Sequence, residues 1–257
     1  MTTLSDMVSA LERPALGVWV KLSGLESCEI VASSGADFVV VDLEHSELTL
    51  DSAFRFIATI SRWTRPFVRV PDLNRVTYQR LLDAGAVAIL APQIESVEDA
   101  IAGASFSLYP PLGVRGFSTT TRAGRWGEHD RHQHIELSNS RVSFIAQLES
   151  SLALRSLDEI AALPGLSGVF LGLADLSVSL GDGVGPEQEF ARIVRESVAR
   201  CKTLGIIVGT AVASASDFAR RAKEGFDFIV AGDDASLLRA AVDSLVTECV
   251  SLTEELP

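Results

Sequence analysis

Polar and charged side chains follow several short apolar runs of this sequence, at the points where the strands of a sheet would end. Four such groups stand out: Asp42-Leu43-Glu44-His45, Arg69, Gln147-Leu148-Glu149 and Gly172-Leu173-Ala174-Asp175. Carboxylates, an imidazole and a guanidinium gathered in one place can exchange protons, bind anions or hold a hard metal ion. The sequence therefore points to a chemical site built at strand ends.

Glu149 and Asp175 are the carboxylates that best suit a metal ion. They stand where neighbouring predicted strands end, and hard oxygen ligands in that arrangement suit Mg²⁺ or Mn²⁺, with the other positions left to water or substrate. In an alternative interpretation one carboxylate caps the helix after the sixth strand and the other pairs with Arg69. The residues alone leave both interpretations open.

His45 is the candidate general base, because imidazole changes charge near neutral pH. Asp83, near the end of the third periodic segment, is the candidate carboxylate for the second ring nitrogen. The alternative is that His45 is an ordinary solvated loop residue. Arg69 lies within the apolar run Phe67-Val68-Arg69-Val70, where a guanidinium must be paired or directed into a functional cleft.

A second group of histidines does not favour a zinc site. His129 and His132 could share one helix face, but His132 and His134 would not, and no cysteine supplies a further ligand nearby. We expect these histidines to form a polar, solvated surface.

The elements that position these residues alternate between short β-rich runs and longer segments of helical period, which is typical of parallel βα units. Eight strands are predicted: 15–21, 38–42, 66–70, 88–92, 143–149, 168–171, 206–209 and 228–232. Glycines at 35, 85 and 225 precede three of these strands and suit helix ends. We expect an α/β fold, a closed (β/α)8 TIM barrel, with residues 1–257 as a single domain.

Two loops and one helix start carry further expectations. Residues 105–141 contain no convincing strand and follow strand four, so we expect an irregular insertion on the face where barrel active sites lie. Gln93 follows the same strand and is expected near the barrel mouth. Asp233 and Asp234 are expected to cap the last helix.

Composition excludes several classes of function. The 257 residues carry 22 Lys and Arg against 34 Asp and Glu, a net charge of −12, which disfavours binding of nucleic acids and of anionic membranes. No run approaches the roughly 18 apolar residues of a membrane helix. The three cysteines form no close pair, so we expect reduced thiols and a cytoplasmic protein.

Several motifs in a fixed order resemble the HpcH/HpaI family of metal-dependent, class II pyruvate aldolases, a family typified by 4-hydroxy-2-oxoheptanedioate aldolase and 2-dehydro-3-deoxyglucarate aldolase. The motifs are Gly17-Val18-Trp19, Asp42-Leu43-Glu44-His45, Val68-Arg69-Val70, Leu82-Asp83-Ala84-Gly85-Ala86, the segment 109–116, Arg125-Trp126-Gly127, Gln147-Leu148-Glu149 and the segment 169–177. The resemblance spans about Gly17 to Val242. One departure is Leu173, where the family typically has proline.

The resemblance implies a role for each candidate residue in a barrel of the phosphoenolpyruvate/pyruvate-superfamily type. The implied metal ligands are Glu149 and Asp175, which would hold Mg²⁺, Mn²⁺ or Co²⁺ with pyruvate chelating the ion. The implied pyruvate contacts are Trp19, Gln147 and the backbone at Ala174 and Asp175. The implied catalytic groups are His45 as the base, Asp83 as its carboxylate partner and Arg69 beside the enolate oxygen.

The implied activity is reversible retro-aldol cleavage of a 4-hydroxy-2-oxo acid to pyruvate and an aldehyde, in the catabolism of aromatic compounds or sugar acids. Two further hypotheses remain: an oxaloacetate decarboxylase or citryl/malyl thioester lyase that uses the same enolate, and a non-catalytic metabolite-binding barrel. The resemblance also implies a homohexamer, a trimer of dimers, with the C-terminal helix, 235–252, packed across to a neighbouring subunit.

Overall fold

A computed structural model of the chain describes residues 3–181 and 187–254. Eight parallel strands close a barrel in the order of the chain, each hydrogen-bonded to the next and the last to the first. They are β1 Ala15–Val20, β2 Phe38–Asp42, β3 Arg65–Arg69, β4 Ala88–Ala91, β5 Ser143–Leu148, β6 Leu166–Leu171, β7 Ile207–Val212 and β8 Phe228–Asp233. The predicted barrel and its eight strand positions are confirmed.

Helices cover the outside of the barrel and cross between its strands. They are α1 Leu4–Ser9, α2 Leu25–Ala32, α3 Leu50–Ile60, α4 Arg75–Ala84, α5 Val97–Ser107, α6 Arg131–Arg141, α7 Ser151–Arg155, α8 Leu157–Ala161, α9 Leu173–Leu180, α10 Glu187–Thr203, α11 Ala215–Lys223 and α12 Asp234–Glu254. Gly85 and Gly225 end α4 and α11 with φ of +105° and +96°, as their positions before strands predict.

Aromatic rings fill the barrel interior. Phe38 stacks on Phe67 with ring centroids 4.6 Å apart, and Phe228 packs edge-on against Phe38 at 6.1 Å. Gly209 leaves room for the Phe228 ring, since a Cβ there would lie 2.2 Å from Phe228 Cζ. At the opposite end from the strand termini that carry the polar groups, Met7 of α1 joins the same apolar cluster. The interior is therefore a packed core that supports the mouth from below.

The start of α12 is fixed by two neighbouring carboxylates. Asp233 accepts hydrogen bonds from the backbone N–H and hydroxyl of Ser236, as the expected cap does. Asp234, which is buried, accepts from the backbone N–H groups of Lys21 and Leu22. The last helix is thus tied to the loop after β1.

The long insertion lies at the other end of the barrel from where the sequence places it. Helix α5 takes up the crossover after β4 and returns the chain to the N-terminal edge of the strands, so residues 108–142 lead from that edge into β5. The backbone N–H of Ala123 accordingly donates to the carbonyl of Asp83, in the last turn of α4. The insertion also contains α6, an ordered helix.

Within the described ranges, no helix combines the length and apolar character that crossing a membrane requires.

Candidate active site

Arg69 is held in a fixed position at the C-terminal end of β3. Its Nε and Nη2 atoms donate to the two carboxylate oxygens of Asp42, at 2.9 and 2.6 Å. Its Nη1 atom lies 3.1 Å from Glu44 Oε2, and the guanidinium lies over the Trp19 ring, 4.4 Å from the centroid. The apolar strand context of Arg69 is therefore explained by pairing and stacking at the barrel mouth.

In addition to binding Arg69, Asp42 holds the turn that follows β2. One carboxylate oxygen also accepts the backbone N–H groups of Glu44 and His45, at 3.1 and 3.2 Å. Burial acts to raise the pKa of Asp42, but Arg69 and the two N–H groups outweigh it and hold that pKa below its ordinary value. Lys21 Nζ lies 3.7 Å from the other oxygen, so this strand-end lysine is engaged in an ion pair.

His45 lies at the mouth, with its side chain 57% exposed. The carboxylate beside it is Glu44, whose Oε2 is 3.8 Å from His45 Nε2. The pKa of Glu44 is raised, mainly by burial, with the charges of Glu149 and Asp42 adding to the effect and Arg69 and His45 opposing it. Glu44 is therefore placed beside the imidazole of His45 at the mouth.

Asp83 does not meet His45 within one chain. It lies in the last turn of α4, at the N-terminal edge of the barrel, where its Oδ1 atom accepts from Arg115 Nη2 at 2.7 Å. Within one chain the two residues are apart because outer helices run antiparallel to the strands, so the end of α4 lies across the barrel from the end of β2. The pairing of Asp83 with His45 therefore stays a prediction, and only a neighbouring subunit could provide it.

Glu149 is buried directly after β5 and is oriented by two donors. The backbone N–H of Gln93 donates to Oε1 at 2.8 Å, and the side-chain amide of Gln147 donates to Oε2. Gly172 makes room for this carboxylate, because a Cβ there would lie 2.9 Å from both Glu149 Cβ and Oε2. The alternative interpretation, in which a carboxylate of this pair binds Arg69, has no support in the described contacts of Glu149, since Arg69 binds Asp42 and Glu44 instead.

Gln93 connects two of these acidic groups. Its φ is +55°, a left-handed conformation that non-glycine residues rarely adopt and that places its N–H on Glu149. Its side-chain Nε2 donates to Glu44 Oε1 at 3.3 Å. Gln93 lies at the mouth, as expected from its position after β4, and the strained backbone there suits a functional position.

Asp175 and Ala174 lie in the first turn of α9, directly after β6. The helix begins at Leu173, the position where a proline would stand in the family pattern, so this turn forms with leucine. Both Ala174 and Asp175 are exposed, and the first-turn amides of a helix have no acceptor within it. The turn therefore presents one carboxylate and free N–H groups at the end of β6.

The donor set fits a divalent cation with open positions. No three His, Cys, Asp or Glu side chains gather into a ligand group in residues 3–181 and 187–254, so these side chains offer an ion at most two such ligands at any place. At this mouth the sequence predicts Glu149 and Asp175 for that role. Among the residues that the structure describes, the buried Gln147 Oε1 atom beside Glu149 has no hydrogen-bond partner. Hard oxygen donors together with an unpaired buried carbonyl suit Mg²⁺ or Mn²⁺, which keep water or substrate as further ligands.

Of the three histidines of the insertion, His132 is exposed, as the expectation of a solvated surface requires, but His134 is not. His134 is buried, and its Nε2 atom lies 3.0 Å from the Tyr109 hydroxyl. Burial lowers the pKa of His134, with the charge of Arg115 adding to that effect. The prediction failed for His134 because the insertion folds into α6, whose inner face packs on Tyr109.

Three residues at the site were not assigned a role from the sequence: Asp42, Glu44 and Gly172. Asp42 and Glu44 stand in the same strand-end motif as His45, and an acidic pair beside a strand arginine was the available signal. Gly172 carried no signal, because its requirement comes from the approach of Glu149 on the neighbouring strand.

Comparisons with known proteins agree on one family. The profile described as HpcH/HpaI aldolase/citrate lyase matches residues 15–241. The chain is 30% identical over 233 residues to 2-dehydro-3,6-dideoxy-6-sulfogluconate aldolase from Pseudomonas putida, covering 90% of this chain and 91% of the relative. It is 32% identical over 233 residues to 2-keto-3-deoxy-L-rhamnonate aldolase from Salmonella gallinarum, covering 89% and 86%.

A solved structure shares the whole architecture. The crystal structure of an HpcH/HpaI aldolase/citrate lyase family protein from Burkholderia cenocepacia superposes with a TM-score of 0.88 at 27% sequence identity, covering 96% of this chain and 98% of the other.

Proposed function

Because the chain belongs to the HpcH/HpaI aldolase/citrate lyase family, we propose that it is an aldehyde-lyase that cleaves a 4-hydroxy-2-oxo acid reversibly to pyruvate and an aldehyde. The observation that carries this function is the presence, at one barrel mouth, of both a fixed Arg69 and an oriented Glu149. Asp42 and Glu44 hold the first, and Gln93 and Gln147 hold the second.

Cleavage requires a base for the proton of the 4-hydroxyl group. His45 takes that role, since its imidazole is exposed at the mouth and Glu44 lies beside it to stabilise the protonated ring. As the proton leaves, the C3–C4 bond breaks and its electron pair moves into the pyruvate enolate. Protonation of C3 then completes the release of pyruvate.

Arg69 stabilises the charge that develops on the enolate oxygen. Two carboxylates and the Trp19 ring fix its guanidinium before substrate arrives, so no reorganisation is needed when the charge appears. The first-turn amides at Ala174 and Asp175, together with Gln147, are the groups we assign to the pyruvate carboxylate. Arg69 is therefore assigned to the enolate oxygen, the atom whose charge changes during the reaction.

Glu149 and Asp175 are the residues that would hold a divalent cation, and Mg²⁺, Mn²⁺ and Co²⁺ all suit them. When bound, such an ion supplies Lewis-acid polarisation of the 2-oxo group, which lowers the cost of forming an enolate. The side-chain amide of Gln147 donates to Glu149, and among the described residues its Oε1 atom has no hydrogen-bond partner.

The substrate class we assign is a 2-keto-3-deoxy sugar acid. The two aldolase relatives are named for acids of this kind, and the exposed polar groups at the mouth suit a hydroxylated aldehyde. Gln93, which reaches across to Glu44 at the rim, is the residue we expect to influence which aldehyde is accepted. Specificity would then be set beside the base.

We infer that the protein forms a homo-oligomer in which α12 packs against a second copy of the chain. Seven large apolar side chains of this helix are exposed in the single chain: Leu237, Leu238, Val242, Leu245, Val246, Val250 and Leu252. Apolar surface of this extent usually marks an interface. Asp83, being remote from His45 in its own chain, would serve a base only in a neighbouring subunit.

The test is metal-dependent pyruvate release, coupled to lactate dehydrogenase, over a panel of 4-hydroxy-2-oxo acids with oxaloacetate alongside. Removal of metal with EDTA should abolish release, and Mg²⁺, Mn²⁺ or Co²⁺ should restore it. Full activity after complete metal removal would contradict the metal role. Release from oxaloacetate alone would replace the aldolase with a decarboxylase that uses the same enolate.

A further inference from the structure

A second cavity, of about 670 Å³, opens at the N-terminal edge of the barrel. Gly85, Ala86 and Val87, which lead into β4, form one wall, and Val142, which leads into β5, forms another. The strand termini that carry Arg69 and Glu149 lie at the opposite edge. The volume is in the range of small-molecule sites in proteins.

The lining of this cavity is strongly basic although the chain carries a net charge of −12. Arg62, Arg122, Arg125 and Arg141 line it together with His129 and His134, and no Asp or Glu is among its described lining residues. Four guanidinium groups without a carboxylate among them repel one another, and a bound anion would relieve that repulsion. The remaining polar lining residues include Gln133 and Ser138, which add neutral hydrogen-bonding groups.

In the part of the chain that the structure describes, three of the four arginines form no ion pair with an acidic side chain. Within residues 3–181 and 187–254, no ion pair involves Arg62, Arg122 or Arg141, and Arg125 has only an exposed contact of 3.7 Å with Glu128. Asp83, the acidic residue closest along the chain to Gly85, is already bound by Arg115 at 2.7 Å. The positive charge of the cavity is therefore free to act on a ligand.

Two aromatic rings lie beside the side chain of Arg122 and fix its position. Its guanidinium lies over the Phe54 ring, 4.9 Å from the centroid, and 6.0 Å from the centroid of Trp126. Gly85 allows this approach, since a Cβ there would be 3.3 Å from Arg122 Cδ. Arg122 Nε and His129 Nδ1 are both buried, and neither has a hydrogen-bond partner among the described residues. Buried polar atoms are normally satisfied, so these two atoms mark an incomplete site.

We propose that this cavity binds a small polyanion through phosphoryl or carboxylate oxygens. Planar guanidinium groups bind both kinds of oxygen in pairs, and three unpaired arginines match a ligand of two or more negative charges. The unpartnered Nε of Arg122 and Nδ1 of His129 supply hydrogen-bonding positions for it. Within one chain the site lies at the edge of the barrel opposite the mouth, and its binding of an anion does not depend on the aldolase chemistry.

The experiment is calorimetric titration of the full-length protein, stripped of metal and then dialysed free of chelator, with inorganic phosphate and separately with tricarballylate, a tricarboxylate. One site per chain is expected. Tighter binding of phosphate identifies a phosphoryl ligand, and tighter binding of tricarballylate identifies a polycarboxylate. Arg62→Gln and Arg141→Gln, both at exposed positions, should each weaken the preferred anion about tenfold.

The matched control is Arg195→Gln, an exposed arginine of α10 that lies outside the cavity lining. This variant should bind the anion as the unchanged protein does. The anion should raise the melting temperature of the unchanged protein and of Arg195→Gln, but not that of the Arg62→Gln/Arg141→Gln double variant. If neither anion binds, or if the double variant binds normally, the proposal is overturned. Light scattering provides a further check on particle mass. If only the cavity variants change in mass and they still bind the anion normally, the arginines belong to contacts between subunits and the proposal is likewise overturned.

Discussion

At the scale of single residues, Asp42 connects Arg69 and His45, the two functional groups at the mouth. Its carboxylate binds Arg69 through two hydrogen bonds and accepts the backbone N–H of His45. Arginine and base are therefore positioned by one buried side chain. Removing its charge would leave Arg69 with Glu44 alone and would release the turn that carries His45.

Asp42→Asn is expected to destabilise the protein by about 3 kcal/mol at neutral pH, because it breaks a buried ion pair by removing one partner. Urea unfolding measures this difference. Asp51→Asn is the control, since Asp51 forms an exposed pair with Arg55 on α3 and its loss should cost under about 0.5 kcal/mol. Equal effects in the two variants would contradict the role given to Asp42.

The advantage of Asp42 over asparagine should depend on pH. The pKa of Asp42 is lowered in the folded state, so its stabilising contribution is complete above the unfolded value of about 3.9 and is lost as the pH falls through the folded value below it. Unfolding of both proteins between pH 7 and pH 3 should show a constant difference that shrinks only below about pH 4. A difference that shrinks near pH 6 would assign the effect to another group.

His45→Ala should separate the two reactions that pass through the enolate. Aldol cleavage should fall by about a hundredfold or more, because it needs a proton removed from a hydroxyl group, whereas oxaloacetate decarboxylation should change little. Arg69→Ala is the companion variant and should impair both reactions. Both rates are measured on one metal-loaded preparation, and equal losses in His45→Ala would place His45 in binding.

At the scale of elements, the junction between β6 and α9 decides whether Glu149 and Asp175 can act together. Gly172 ends the strand, accepts the first α9 hydrogen bond from Leu176 at its carbonyl, and leaves space for Glu149. Leu173 begins the helix without the proline typical of the family. The geometry of the candidate metal site thus depends on one small residue between two elements.

Gly172→Ala should lower Mn²⁺ affinity and turnover at least tenfold, because the added Cβ displaces the Glu149 carboxylate. Gly209→Ala is the contrasting variant. Its Cβ meets the Phe228 ring in the barrel interior, so it should cost about 3 kcal/mol of unfolding free energy while the folded fraction keeps normal turnover. Calorimetric Mn²⁺ titration and urea unfolding distinguish the two, and unchanged Mn²⁺ affinity in Gly172→Ala would contradict the assignment.

For the whole molecule, the barrel has two edges of different chemical character. The C-terminal edge carries Arg69 bound to Asp42 and Glu44, together with the carboxylate of Glu149, whereas the N-terminal edge carries the arginine-lined cavity beside the insertion. The single chain also leaves the apolar side of α12 exposed. Exposed apolar surface of this extent is expected to be buried by association.

Leu245→Glu should reduce the particle mass measured by light scattering, because a charge on an apolar contact surface opposes association. Leu245 is 61% exposed in the single chain, so the substitution should leave the barrel itself folded. Ser244→Glu, one residue earlier on α12, is the control and should keep the mass of the unchanged protein. An equal mass in all three proteins would refute the assembly through α12.

The sequence by itself determined the barrel and the strand ends at which its polar groups gather. Apolar runs of strand length, helical segments and glycine helix ends are local signals, and they fixed the positions of Arg69, Glu149 and Asp175. Only the tertiary structure decided which of these groups meet. Arg69 pairs with Asp42, and Asp83 lies across the barrel from His45, because both relations depend on neighbouring strands and on the direction of a helix. The predicted position of the insertion was wrong for the same reason. The edge of the barrel at which the insertion lies depends on where α5 ends in space, which no short stretch of sequence specifies.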